Sequence, residues 1–212
     1  MAIKPILFNT EMVREILDGR KTCTRRIVKD GIPDDAMWGY RAFTPKGYIT
    51  CRGVYADGYG EGFYKLPYKP GDILYVRETW CGLPVNEAGH FRGHPIYYYK
   101  ADGDLRPEGW IGAWHPSIHM PKEAARIWLK VTDVRVERLQ DITSEQIYRE
   151  GTEVEEPFVL NGEEKRYAFS VLWNSTIKKS DLDRYGWEAN PWVWVIEFER
   201  CEKPEEAEHE RK

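Results

Sequence analysis

The stretch ILDGRKTCTRR, Ile16 to Arg26, joins the end of an amphipathic helix to a run of basic residues. Just upstream, KPILF (Lys4 to Phe8) reads as a short strand entering the core, and Asn9 or Thr10 is placed to cap a helix. Val13, Ile16 and Leu17 recur at helical spacing, which predicts one apolar face over Glu11 to Asp18. Gly19 suits the left-handed position that follows a helix, and Arg20 and Lys21 fall where the helix dipole favours cations. Gly19 to Arg26 is therefore expected as a basic segment delivered by the helix C-terminus, adding little to the apolar core.

Working outward, residues 30–68 are rich in Gly, Pro and Tyr and predict irregular loops with one or two short hairpins. KPGD (Lys69 to Asp72) is a turn signature leading into a strand, Ile73 to Val76, that runs on to Arg77, Glu78 and Trp80. A second irregular stretch, 82–122, holds IYYY (Ile96 to Tyr99) and WHPSIHMP (Trp114 to Pro121). Residues 125–131 and 134–139 read as two strands, or as one bent at Thr132-Asp133. Thr143 followed by Gln146 is a capping box opening a short helix that ends at Gly151. A third helix is expected over Arg166 to Ile177, with Phe169, Leu172 and Trp173 as its apolar positions. PWVWVIEF (Pro191 to Phe198) alternates as a strand, Trp192, Trp194, Ile196 and Phe198 on one face and Val193 and Val195 on the other. Strands interspersed with short helices and long loops predict an α+β barrel or half-barrel.

With 212 residues the chain is long enough for one well-buried core, so a single domain is expected over 1–201. The charged tail EKPEEAEHERK (Glu202 to Lys212) is too polar to pack and is expected to be disordered. No apolar run approaches the roughly 18–20 residues of a membrane span, and the N-terminus lacks the pattern of an export signal. The expectation is a cytoplasmic chain with no membrane contact, whose four cysteines, Cys23, Cys51, Cys81 and Cys201, are reduced thiols. Net charge is −4, which argues against non-specific coating of nucleic acid and for a small substrate or a locally basic groove. Aromatic residues make up 14% of the chain, with nine Trp and thirteen Tyr, enough to fill a core and also to offer stacking surfaces for bases.

The basic segment carries Arg20, Lys21, Arg25 and Arg26 together with two threonines. It reads either as a solvated helix end or as an anion or nucleotide site in which Lys21 and Thr24 work together. A threonine hydroxyl is a poor nucleophile until a base takes its proton, and a lysine three residues away can supply that base. Glu150 sits in the last turn of the capped helix, where the dipole disfavours a carboxylate; such a residue is either functional or an exposed bystander. His115 and His119 have a zinc-compatible spacing, but Pro116 and Pro121 bracket them and no third ligand is near, so no metal site is expected. Trp38, Trp80, Trp110 and Trp114 fall in the loop-rich stretches, where they either cover a core or form a wall for stacking.

ILDGRKTCTRR (Ile16 to Arg26) and KPGDILYVRE (Lys69 to Glu78) together resemble the ASCH domain family, part of the PUA-like superfamily of small β-barrels that handle nucleic acids and nucleotides. LQDITSEQIYREG (Leu139 to Gly151) and the closing strand WVWVIEFE (Trp192 to Glu199) fit the same pattern, and the likeness covers about half of the chain. The remainder is similar to the insertions of larger ASCH proteins of phage and prophage genomes, here at 31–68 and 82–122. The resemblance implies a PUA-like barrel with short helices at its rim. It also implies an amidohydrolase acting on N4-acylated cytosine nucleosides or bases such as N4-acetylcytidine, with Lys21, Thr24 and Glu150 catalytic. Arg20, Arg25, Arg26, Arg77 and Trp80 would bind substrate, and no cofactor is implied. A non-catalytic module that binds RNA or DNA and reads a modified base, or an ASCH ribonuclease, fits the same residues, and the expected partners are a small nucleoside or nucleobase, or RNA or single-stranded nucleic acid. Oligomeric state is left open.

Overall fold

The computed structural model of the protein describes residues 1–29, 31–82, 97–106, 112–152 and 162–205. Along the chain the elements are β1 (Ile3–Leu7), α1 (Thr10–Leu17), β2 (Cys23–Ile27), β3 (Met37–Gly39), β4 (Tyr48–Tyr55), β5 (Gly58–Lys65), β6 (Ile73–Arg77), β7 (Trp80–Gly82), β8 (Tyr97–Tyr99), β9 (Trp128–Arg138), α2 (Ser144–Arg149), α3 (Gly162–Thr176), α4 (Leu182–Tyr185) and β10 (Trp192–Cys201). The chain is thus mixed α+β, mostly sheet with a few short helices. It divides into two compact units, each assembled from separated segments: 1–21, 72–130 and 199–212 in the first, 22–71 and 131–198 in the second.

In the first unit β1 lies parallel to β6, in register Ile3 with Ile73, and β6 pairs antiparallel with the start of β9. Asp72 fastens the entry to this sheet: its carboxylate accepts from the Ala2 amide at 3.0 Å and from Lys4 Nζ at 2.8 Å. Asn9 caps α1 by accepting from the Met12 amide, Val13 and Ile16 are buried, and Gly19 follows in the left-handed region at φ 78°. The first unit's core gathers Ile73, Met120, Ala124, Ala125 and Trp128, with Trp80, Tyr97 and Tyr99 packed against them. β7 and β8 form a two-stranded ribbon.

In the second unit β10 pairs antiparallel with β2 and lies beside β9. The expected alternation of β10 holds, and both of its faces are covered: Val193, Trp194, Val195, Ile196 and Phe198 are all buried. Val193 and Val195 pack with Leu139, Ile142, Ile147, Phe169 and Trp173, so α2 and α3 cover the face of β10 that carries the valines. The capping box of α2 forms as its residues predict, Thr143 accepting from the Gln146 amide and Gln146 accepting from the Thr143 amide. Residues 37–65, expected as irregular loops with one or two short hairpins, make a more regular three-stranded antiparallel sheet with the order β3-β4-β5, in which the hairpin strands β4 and β5 are eight residues each. Glycines at Gly53, Gly60 and Gly62 hide this sheet from a propensity reading, since glycine weakens strands in general. Here the space is needed: a Cβ at Gly62 would meet Tyr55 Oη at 2.9 Å and Tyr64 at 3.1 Å.

Among the described residues no sheet closes on itself. A closed barrel gives every strand two neighbours, whereas among these residues β1 pairs only with β6 and β2 only with β10, so the sheets are open, within the mixed α+β class expected. Residues 125–139, read as two strands or one bent strand, form a single eleven-residue strand, β9. Trp38 and Trp80, expected in loops, belong to β3 and β7, and Trp110 lies outside the described residues. So does most of the charged tail, from residue 206 onward. No helix among the described residues is long and apolar enough to cross a membrane.

Candidate functional site

The basic segment is not a loop beyond Thr22. Cys23 to Ile27 form β2, with Thr24 opposite Ile196, Arg25 opposite Val195 and Arg26 opposite Trp194. Pairing with a strand of the core buries the segment, and Cys23, Thr24 and Arg25 are each at most 3% exposed. The expectation that it adds little to the core is thereby corrected: a neighbour on β10 draws these residues inside whatever their polarity.

Strand alternation sorts the side chains. Thr24 and Arg26 project from one face of β2, and Cys23 and Arg25 from the other. On the first face, Arg26 Nη1 donates to Thr24 Oγ1 at 3.0 Å and to the Arg25 carbonyl at 3.2 Å. Burial pushes the Arg26 guanidinium below its ordinary pKa, and the charges of Glu150 and Tyr68 pull it back in part. Tyr68 itself is raised by burial, against the pull of Arg26. On the second face, Arg25 reaches α2: Nη1 donates to Glu150 Oε1 at 3.0 Å, and Nη2 to Gln146 Oε1 at 3.1 Å and to Glu137 Oε2 at 3.4 Å.

Glu150 is the C-cap of α2 and is buried, followed by Gly151 at φ 77°. The unfavourable dipole at this helix end is offset by the guanidinium of Arg25, a partner that sequence distance hides. The carboxylate is no exposed bystander. The neighbouring Arg149 donates to Thr22 Oγ1 at 3.1 Å and to Glu197 Oε2 at 2.8 Å, and its carbonyl accepts from the Thr22 amide at 2.9 Å. The end of α2 is thereby stitched to the start of β2.

In the second unit Thr24 and Arg26 thus share one face of β2, while Arg25 and Glu150 meet on the other. The other expected residues belong to the first unit. Lys21 is buried there, its amide bonded to the Glu15 carbonyl at 3.0 Å and its Nζ 5.8 Å from the Phe8 ring centre. Arg20 bonds Glu15 and Asp18, each at 3.0 Å. Arg77 Nε donates to the Met120 carbonyl at 2.7 Å. Trp80 packs on Tyr97 and His115, and its backbone pairs with that of His115. His119 lies in a short turn, Ser117–His119. Three residues were missed by sequence reasoning: Gln146 and Glu137 beside Arg25, and Tyr68 beside Arg26. Gln146 was visible only as a capping residue, and it holds Arg25 with the same oxygen that caps α2.

Chemically, a threonine oxygen that accepts a hydrogen bond from a guanidinium is polarised toward its alkoxide, and a carboxylate bonded to a second guanidinium is fixed in position. Comparison with protein-family models, with curated proteins and with solved structures finds no match for this chain.

Proposed function

We infer that the chain is an amidohydrolase of the PUA-like ASCH type, acting on N4-acylated cytosine nucleosides or bases. The observation that carries this reading is the buried Thr24 hydroxyl, which accepts from Arg26, with the Arg25–Glu150 pair on the other face of the same strand. A guanidinium that donates to this hydroxyl is placed to stabilise negative charge developing on its oxygen.

In the proposed reaction Thr24 Oγ bonds to the acyl carbon while its proton passes to Lys21, the residue the GRKTxTxR motif assigns as base. The developing negative charge falls on the acyl oxygen. The C–N4 bond then breaks, the cytosine amine leaves with a proton from Lys21, and the acyl group remains on Thr24 as an ester. Water, losing a proton to Lys21, attacks that ester; the ester C–O bond breaks, Lys21 returns the proton to Thr24 Oγ, and the carboxylic acid leaves. Arg26 stabilises the threonine oxygen as it leaves. Glu150 assists proton transfer to the amine or orients Lys21, and Arg25 holds its carboxylate in place. No cofactor enters these steps.

The test is incubation of the pure protein with N4-acetylcytidine and with short RNA, followed by product analysis. Release of cytidine and acetate in equal amounts supports the reading. Cleaved RNA with the acetyl group intact would replace it with a ribonuclease.

A further inference from the structure

The sheet β3-β4-β5 has two unlike faces. Register places Trp38, Ile49, Cys51, Gly62 and Tyr64 on one of them. That face is packed: Trp38 meets Tyr64 at 5.2 Å, Trp192 at 5.8 Å and Trp194 at 6.2 Å between ring centres. The other face carries Met37, Arg52 and Glu61 in one row, Thr50 with Phe63 in the next, and Val54 with Tyr59 beyond. Its large side chains are out in solvent, with Tyr59 63%, Val54 59%, Met37 50% and Phe63 47% exposed. Phe43, 61% exposed, joins Phe63 edge-on at 6.3 Å. It is delivered there by a turn in which Thr44 Oγ1 bonds Thr50 Oγ1 at 2.6 Å and accepts from the Arg41 amide at 2.8 Å. The rings are therefore held on a sheet rather than scattered.

Charge separates this surface from the rest of the chain. Residues 37–65 hold four basic side chains, Arg41, Lys46, Arg52 and Lys65, against two acidic ones, Asp57 and Glu61, whereas the chain as a whole carries −4. Of the two acids, Glu61 is held by Arg52 at 3.7 Å. Arg41, Lys46 and Lys65 are exposed, Lys65 on the same face as Phe63 and Arg41 two residues before Phe43. Same-face neighbours along a strand stand about 6.8 Å apart, so Tyr59, Glu61, Phe63 and Lys65 make a row of ring, ion pair, ring and cation. Exposed rings stack any base, and flanking cations meet a phosphate backbone. A second copy of this chain carries a net charge of only −4 over 212 residues, whereas a polynucleotide carries one negative charge per nucleotide together with bases that stack on rings.

We propose that this outer face of β3-β4-β5 binds single-stranded nucleic acid, with Phe43, Tyr59 and Phe63 as the stacking residues and Arg41, Lys46 and Lys65 on the phosphates. The inference goes beyond the hydrolytic reading and does not depend on it, because it needs no acyl group and none of the residues of the β2 cluster. Combined with that reading, it names the modified base as one carried in a polymer.

The experiment is fluorescence anisotropy of the full chain with labelled oligouridine and oligothymidine of about 16 nucleotides, the upper range of single-strand site sizes, beside a duplex of equal length. Binding of the single strands in the micromolar range, with the duplex much weaker, is expected. Tyr59→Ala and Phe63→Ala should each weaken binding about 5- to 150-fold, the range for loss of one stacked base. Phe63→Trp should retain binding, and Tyr167→Ala, on the exposed side of α3, should change nothing. Lys65→Glu should weaken binding and lower the salt slope by about 1 or more. Thermal melts of all variants should match the parent, since the side chains are exposed. No binding, equal affinity for duplex, or Tyr59→Ala and Phe63→Ala proteins that bind like the parent would overturn the proposal. So would a dimer in sedimentation that Phe63→Ala dissociates, which would give the face to a second copy. Failure of hydrolysis alone leaves these binding results untouched, so the two readings fall separately.

Discussion

Arg25 and Glu150 show how a single pair can decide the fate of a segment. The pair is buried at 3.0 Å, and removing one member leaves the other charge without its partner. Arg25→Met should therefore cost about 3–5 kcal/mol in chemical denaturation. Arg25→Met combined with Glu150→Leu should cost clearly less than Arg25→Met alone, because neither charge remains. Equal losses in the two proteins would mean that Glu137 and Gln146, not Glu150, are what Arg25 serves. The chemistry is tested at the same scale. Thr24→Ala and Lys21→Ala should each lower N4-acetylcytidine hydrolysis by about 1,000-fold or more, and the double variant should be little worse, since nucleophile and base act as a unit. Lys21→Arg should fail as well, because a guanidinium keeps the charge but accepts no proton near neutral pH. An active Thr24→Ala enzyme in a rate assay would remove the proposed nucleophile. Thr24 and Lys21 are buried, so each rate must be read beside a melt of the same protein.

At the scale of elements, α2 is only six residues long, too short to persist on its own. It is kept by its capping box, by Ile147 in the core, and by Arg149 and Arg25 at its far end. Thr143→Ala removes the acceptor for the Gln146 amide and should cost about 1 kcal/mol. Since Gln146 Oε1 serves both the Thr143 amide and Arg25, Gln146→Ala should cost more than Thr143→Ala. Denaturant midpoints of the two variants check the order, and the reverse order would show that the Arg25 contact adds nothing.

For the whole molecule, pH reads the balance of buried carboxylates. Burial alone would raise Glu197, but hydrogen bonds from Arg149 and Arg135 outweigh it and leave its pKa below the ordinary 4.5. Its contribution to stability is present above 4.5 and is lost as pH falls through the lowered value. Glu78 has the opposite sign. Burial raises it against the pull of Arg126, so its contribution is full below 4.5 and is lost as pH rises through the raised value. Melting temperature should therefore fall more gently with acid in Glu197→Gln than in the parent. In Glu78→Gln the decline between pH 4.5 and neutrality should flatten. Parallel curves for parent and both variants would show that neither carboxylate governs the acid limb. Glu197 is partly exposed, so its effect is the smaller of the two.

The features legible in the sequence are local. Asn9 capping α1, Gly19 in the left-handed position and Thr143 with Gln146 opening α2 all follow from interactions within a few residues of one another. The strand character of β6 and β10 was equally legible, because β-branched and aromatic residues dominate both. The candidate residues Thr24, Arg25, Arg26 and Glu150 could be picked out from the motif. Their partners could not: Arg25 meets Glu150 across 125 residues of chain, and nothing in either neighbourhood announces the other. Tertiary structure alone decided that CTRRI is a buried strand, because burial came from pairing with β10 and not from hydrophobicity. It alone made a sheet of residues 37–65, where glycines that weaken an isolated strand give room to the rings of Tyr55 and Tyr64. Short-range hydrogen bonds are written in neighbouring letters, whereas pairing between distant strands depends on which surfaces the rest of the chain leaves open.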